Sequence, residues 1–462
     1  MVILDGTIVN VALPSIQSDL GFSQSSLAWV INSYLIAFGG LLLLSGRLGD
    51  LLGRKRILLA GLAVFTLASL LRGMSVSPEM LIAARFIQGV GGALSSAVAL
   101  GMIVTMFPEP REQARAFGVY SFVASAGASI GLLAGGILTQ AISWHWIFFV
   151  NVPIGLVAGL LSWRLLQSDR GIGIGRGADV IGAVLVTGAL MLGVYTIVGT
   201  STYGWGSVRT VSLGVVSALL LAGFVARQAT AKKPLLPLSI FRPRNVWGAN
   251  LVQVLLIAGM LPFFFMNTLY LQRVVGFNPL QIGLAFMPVA ITIGALSLGV
   301  SARVTTRFGA RRVLLPALAL VAAGLALYIR VPVDSNYVID LLPGMLLLGT
   351  GAGLVFPALA TLAMSSATEA DSGMASGLLN TTAQVGGALG LAVLATVAAS
   401  QTAQLLAGGE SAASALTDGF RVVFGISTVL LVAGILFSAT MLRGEDRTSE
   451  LEPDEAAAED AA

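Results

Sequence analysis

The chain has no cysteine, a single histidine and little charge. Without thiols there can be no disulfide, no zinc–thiolate centre and no cysteine nucleophile. His145 alone cannot build a histidine metal cluster. The dipeptide Gly-Lys occurs nowhere, so the phosphate loop G-x-x-x-x-G-K-[ST] is missing and ATP drive within this chain is excluded. Charged residues make up only 10% of the 462 positions, against about 25% in ordinary soluble domains. Of 26 basic residues only Lys55, Lys232 and Lys233 are lysines, which together with abundant Ala, Gly, Leu and Val reads as a GC-rich bacterial gene.

What is present is hydrophobic surface, 56% of residues, and 55 glycines. A soluble domain has no interior large enough for that much apolar surface. A polytopic membrane protein does, because lipid replaces water around it, and glycines let its helices approach closely. Apolar runs long enough to span a bilayer predict fourteen helices: 1–16, 27–47, 56–74, 80–105, 114–138, 146–166, 179–200, 210–227, 246–271, 280–301, 313–331, 340–364, 375–400 and 420–442. An even number puts both termini on one side. Basic residues fall 20 to 5 across alternate loops and helix ends, which assigns the richer side to the cytoplasm. Arg72 is counted with the outer five, and Arg85 falls inside the fourth span. The basic balance is therefore topological and excludes nucleic acid as a partner. The last stretch, 443–462, is acidic and Ala-rich and reads as a disordered cytoplasmic tail.

The chain repeats itself. "GRLGDLLGRKRILL" after the second span aligns with "ARVTTRFGARRVLL" after the tenth, Gly53 on Gly309 and Lys55 on Arg311, at an offset of 256. "QGVGGA" and "LGTGAG" share their glycine spacing at an offset of 260. The organisation is a six-helix half (1–166), a linker with two extra helices (167–245) and a second six-helix half (246–442). Repeated halves mark secondary transporters, with the binding site between them near the midplane. The same offset sets Asp5 opposite Leu261, in mid-span, and implies that the first helix lacks about ten residues that its partner has. The expectation is a natural start upstream of Met1.

Several stretches resemble the major facilitator superfamily, specifically its 14-helix drug:proton antiporters of the EmrB/QacA type. "LDGTIVNVALP" is similar to that family's first-helix signature. "GRLGDLLGRKRIL" fits the loop signature G-x-L-x-D-x-x-G-R-K-x-x-L, and "RFIQGVGGA" resembles the fourth-helix R-x-x-Q-G motif. "WHWIFFVNVPIG" and "GLLNTTAQVGGALG" resemble two further family stretches. There are departures: Leu132 stands where the antiporter motif G-P-x-x-G-G has proline, His145 where W-R-W has arginine, and Ala383 where a basic residue is common.

The resemblance implies a major facilitator fold and proton-driven efflux of amphipathic drugs or antibiotics across the bacterial cytoplasmic membrane. It implies no enzymatic activity, no cofactor and no metal. Substrate, protons and lipid are the expected partners, and the monomer is the expected functional unit. Leu132 keeps open an alternative, proton-coupled import of a small organic nutrient. Asp5 and Arg85 are the ionisable groups expected deep in the membrane, where burial favours a neutral carboxyl and a nearby cation favours a charged one. They are the expected proton-coupling pair. Gly46, Gly53 and their neighbours are expected to form the tight cytoplasmic turn, with Asp50, Arg54 and Lys55 as a gating latch. Gly127, Gly131, Gly135 and Gly136 are expected to close-pack the fifth helix. Thr7, Asn10, Tyr34, Gln88, Tyr120, Asn250, Gln253, Asn267, Phe356 and Asn380 are the candidates for lining the substrate cavity. His145 is expected at the outer membrane interface.

Overall fold

In the computed structural model, residues 1–106, 109–167, 179–231, 234, 243–364 and 372–442 are described. All regular structure among them is helical. The N-terminal half consists of α1 (Val2–Leu20), α2 (Trp29–Leu52), α3 (Arg54–Gly73), α4 (Pro78–Met106), α5 (Pro110–Ala141) and α6 (Trp146–Leu165). The next two are α7 (Val180–Tyr203) and α8 (Val208–Thr230). The C-terminal half begins with α9 (Arg244–Arg273) and α10 (Pro279–Ala295), the latter continuing through a π turn (Leu296–Val300) into Ser301–Phe308. Then come α11 (Ala310–Tyr328), α12 (Leu342–Met364, entered by a π turn at Tyr337–Leu341), α13 (Ser372–Ala407) and α14 (Ala412–Met441). Among the described residues eleven stretches are long and apolar enough to cross a membrane; α1, α5 and α10 fall outside that count.

Local chemistry sets the helix ends. Gly21, at φ 71°, closes α1 in the left-handed conformation, four residues beyond the expected end. Asn278 and Gln281 form a reciprocal capping box at α10, with Pro279 in the first turn. The turn after α2 is made by Gly53 alone, at φ 98°, and its repeat partner Gly309 has φ 84°. Gly46 and Gly49 instead lie inside α2, so the turn expected from Gly46, Gly53 and their neighbours is corrected to Gly53 alone. Gly49 faces α4, where a Cβ would stand 2.5 Å from Val98 Cγ1.

Glycines also set the helix contacts. A Cβ at Gly61 of α3 would lie 2.6 Å from the Ser95 nitrogen of α4, and one at Gly351 of α12 would lie 2.6 Å from the Ala317 oxygen of α11. The two halves thus use the same device at related places. The fifth helix carries it further. Gly131 sits on Thr7 and Leu4, and a Cβ at Gly135 would reach 2.7 Å from the Ile8 oxygen. Gly127 is looser, 3.7 Å from the Leu4 nitrogen by the same measure. Gly136 faces the other half, where its Cβ would be 2.8 Å from the Pro279 oxygen of α10. Leu132, the departure from the proline motif, presents its carbonyl to Gly283 of α10. On the opposite side of the molecule α2 meets α13, with Gly39 against Gln384. α7 covers that seam: Val194 and Val198 pack with Ile36 of α2 and with Ala388 and Ala392 of α13.

The extra helix pair is tied at one end by an acid that the sequence reading passed over. Asp179 caps α7 through the Gly182 N–H (2.9 Å) and accepts from Gln228 (2.9 Å) and Arg227 (3.1 Å) of α8. Burial favours its neutral form, but these donors outweigh it and hold the carboxyl below its usual range. A depressed carboxyl stabilises the fold above its ordinary pKa and loses that contribution as the pH falls. Asp179→Asn should therefore cost about 1 kcal/mol at neutral pH, read as a lower melting temperature in detergent. The difference from wild type should shrink once the pH is below about 4.

Candidate functional site

The first helix carries an acid because three other helices supply its partners. Asp5 is completely buried. Its Oδ1 accepts from Arg72 Nη1 of α3 (2.9 Å), Gln88 Nε2 of α4 (3.0 Å) and Asn151 Nδ2 of α6 (2.9 Å). Its Oδ2 accepts from Arg85 Nη1 of α4 (2.8 Å) and again from Arg72 Nη1 (3.1 Å). Gln88 is a hub: its Oε1 accepts from both arginines, and its amide donates to Ser69 Oγ (2.9 Å). The Arg72 guanidinium lies 3.7 Å over the Phe148 ring, and that of Arg85 lies 4.8 Å over Tyr34. Three helices each present a pair at i, i+3, hence on one face: Ser69 and Arg72, Arg85 and Gln88, Phe148 and Asn151.

Arg72 is the main correction to the sequence reading. Counted there among the outer loop charges, it is fully buried and bonded to Asp5. The deep charges are therefore three rather than two, one carboxylate against two guanidinium groups. Asn151 was also missed as a partner, although it lies in the quoted "WHWIFFVNVPIG". The signal available was position: Arg72 stands in the last turn of a span, where length arguments hand any cation to the loop.

The two cations are held differently. Arg85 Nε donates to the Val30 carbonyl of α2 at 2.6 Å, which anchors it independently of Asp5. Arg72 makes its hydrogen bonds through Nη1 alone, while its buried Nε and Nη2 have no hydrogen-bond partner. Such atoms are costly in an interior.

At the pseudo-equivalent place in the C-terminal half the chemistry is apolar. The offsets that align the repeats set Leu261, Tyr328, Met345 and Leu348 opposite Asp5, Arg72, Arg85 and Gln88. Tyr328 packs edge-on against Phe263 (4.8 Å between centroids) and Phe424 (5.3 Å). One half therefore has a charged heart and the other an aromatic one.

The remaining candidates are spread along the helices. Thr7 bonds back to the Ile3 and Leu4 carbonyls of its own helix, and Asn10 is half-buried. Tyr34 is buried, with no hydrogen-bond partner for its hydroxyl. Asn250 accepts from Thr382 (2.8 Å), linking α9 to α13. Gln253 and Asn267 are buried, Phe356 is half-buried and Asn380 is exposed. The structure brings Gln88 and Tyr34 to the charge cluster rather than to this dispersed set. The side chains of Asp50 and Tyr120 lie outside the described ones, as does the tail. His145 precedes α6 and stacks on Trp144 at 3.7 Å between ring centroids.

In the loop after α2, Lys55 does something definite. Its Nζ donates to the Trp163 (2.8 Å) and Leu166 (2.6 Å) carbonyls at the C-terminal end of α6. There a cation satisfies orphan carbonyls and complements the helix dipole. Its repeat partner Arg311 donates to the Ala439 carbonyl near the end of α14 (2.6 Å). The repeated cation thus ties each half's third helix to its sixth. Arg54 packs beside Gly49.

Two outcomes follow from this geometry. Asp5→Asn leaves two buried guanidinium groups without a counter-charge and should cost roughly 3–5 kcal/mol, while adding Arg72→Gln should restore part of the loss; thermal unfolding of the single and double variants reads the difference. Gly135→Leu should force α1 and α5 apart and abolish transport, whereas Gly127→Ala should be tolerated; drug-resistance assays of cells carrying each variant separate the two.

The sequence matches the family described as Major Facilitator Superfamily over residues 1–391. It is 40% identical over 442 residues to a puromycin resistance protein of Streptomyces alboniger, covering 94% of this chain and 87% of that one. It is 39% identical over 439 residues to a cephamycin export protein of Amycolatopsis lactamdurans, covering 94% and 89% respectively. Among solved structures, an auto-inhibited peptide transporter of the POT family shares the fold at a TM-score of 0.68 and 14% identity, over 97% of this chain and 96% of that one. With an all-helical architecture of repeated halves, the chain belongs to the Major Facilitator Superfamily.

Proposed function

We propose that this protein exports a small amphipathic organic molecule, of the kind its resistance and export relatives are named for, in exchange for protons. It would do so as a fourteen-span monomer of the bacterial cytoplasmic membrane with both termini in the cytoplasm. The observation that carries the coupling is the fully buried Asp5 carboxylate shared by Arg72 and Arg85.

The argument is electrostatic. With Asp5 ionised, the cluster carries one surplus positive charge. A proton on Asp5 would leave two guanidinium groups facing each other in a low-dielectric interior, where like charges repel strongly. Proton binding and retention of both cations in place therefore oppose one another. Arg85 is held by Val30 and Tyr34, so Arg72, attached through one nitrogen, is the member displaced. Its displacement releases α3 from α1, while Asn151 keeps α6 on Asp5, and this is how protonation would be felt by α1. Gly131 and Gly135 let α1 move against α5 at backbone contact, and the Lys55 tie moves α3 and α6 as one body. Substrate contacts are assigned to Thr7, Asn10, Asn250, Gln253, Asn267, Phe356 and Asn380 between the halves. The drive is the proton gradient and membrane potential, about 2.3 kcal/mol per charge per 100 mV, and no cofactor is required.

Everted vesicles acidified inside test this directly. Puromycin, cephamycin-type and other amphipathic antibiotics, added one at a time, should release protons from vesicles bearing the wild type, and Asp5→Asn should show no substrate-triggered release. Wild-type vesicles that bind a compound without proton movement would overturn the antiport reading.

A further inference from the structure

The C-terminal half departs from its repeat at one place that the mechanism proposed above does not invoke. α2 is an unbroken α-helix to Leu52, but its counterpart α10 is interrupted by the π turn at Leu296–Val300. Such turns are rare and cluster at functional positions. Above the turn α10 stays tight on α12, where a Cβ at Gly353 would lie 3.0 Å from the Ile293 oxygen. At the turn itself, Ser297 bonds the Gly353 carbonyl (3.0 Å). Below it, the end of α10 and the start of α11 leave a groove of about 280 Å³. Val304 and Phe308 form one wall, Val313, Pro316 and Leu320 the other, Leu354 of α12 lies behind, and Arg312 is the charged residue of the lining.

Two sequence features meet at this groove. Pro316 interrupts α11 where the N-terminal half has Ala60; lacking an N–H, it leaves the carbonyl one turn back, on Arg312, without its helical donor. Between 303 and 312 there are four arginines and no acid, whereas the matching N-terminal loop carries Asp50 where this one has Thr306. Arg311 is committed to Ala439, while Arg312 is exposed along with Phe308 and Pro316. Arg312, Pro316 and Leu320 succeed one another at four-residue intervals, so the groove runs along the helix for about 12 Å, with its charge at the cytoplasmic end.

We infer that this groove is a seat for an anionic phospholipid of the inner leaflet, one acyl chain between α10 and α11 and the phosphate on Arg312. Charge and shape select this occupant. Arg312, exposed at the rim of the groove, attracts an anionic headgroup, and the groove behind it offers apolar walls. The acidic tail beyond residue 442 would satisfy the charge but contains a single large apolar residue, Leu451, with which to fill the groove. The leaflet assignment rests on the orientation proposed above; binding itself does not.

Native mass spectrometry of the purified full-length protein, titrated with phosphatidylglycerol or with phosphatidylcholine, tests the seat without any transport assay. Wild type should retain one phosphatidylglycerol in preference to phosphatidylcholine. Arg312→Gln should weaken that complex about fivefold and abolish the preference. Leu320→Trp, which fills the groove, should remove the bound lipid while leaving the melting temperature unchanged. Retention of wild-type phosphatidylglycerol binding by both variants would overturn the inference, as would equal binding of the two lipids by wild type. A chain ended at residue 442 should bind phosphatidylglycerol at least as tightly as the full chain; loss of binding there would assign the charge contact to the tail and overturn the seat.

Discussion

A carboxylate taken out of water must find positive charge and hydrogen-bond donors, and the N-terminal half is arranged around that requirement. Asp5 takes donors from α3, α4 and α6, and Arg85 extends the network to α2 through Val30. Lipid gives helices little hydrophobic reason to associate, so a polar junction joining five of them does what a hydrophobic core does in a soluble domain. A buried ion pair is weak evidence of stability by itself. Under the proposed antiport its value is that one proton would change its charge balance, so the same contacts that hold the half together could be loosened by ordinary chemistry.

The glycines supply the complementary property. Where α5 meets α1, and where it meets α10 across the halves, the spacing is that of backbone on backbone. Flat surfaces of this kind have few interlocking side chains to lift over one another. α7 closes the other seam, laid over α2 and α13, while α8 contributes little buried surface beside it. The extra pair thus braces one side of the molecule and leaves the α5–α10 side to glycine.

Much of the fold was legible in the sequence. Span positions, the repeat and the Gly53–Gly309 correspondence follow from hydropathy and from the need for a left-handed residue at a sharp turn. Asp5 and Arg85 were legible because a charge in mid-span has no innocent place to go. Arg72 was not, because a cation near a helix end can reach the interface or turn inward, and hydropathy does not distinguish the two; only Asp5, Gln88 and Phe148, on other helices, decide it. Lys55 was legible as a cation of the loop but not as a cap, since its partners are carbonyls and carry no side-chain signature. The wall of the substrate route was the least legible, because polar residues that serve helix packing, such as Asn250 with Thr382, look the same in sequence as those that face a ligand.

The aromatic counterpart of the charge cluster has an electrical meaning. Phe263, Tyr328 and Phe424 fill the place where the other half keeps an acid and two cations, so among the described residues the ionic weight of the membrane interior is lodged in one of the two halves. A voltage across the bilayer then pulls on one half and finds almost no purchase on its twin. In its buried interior the molecule has one charged half and one aromatic half, so an imposed field would act as torque about the seam between them.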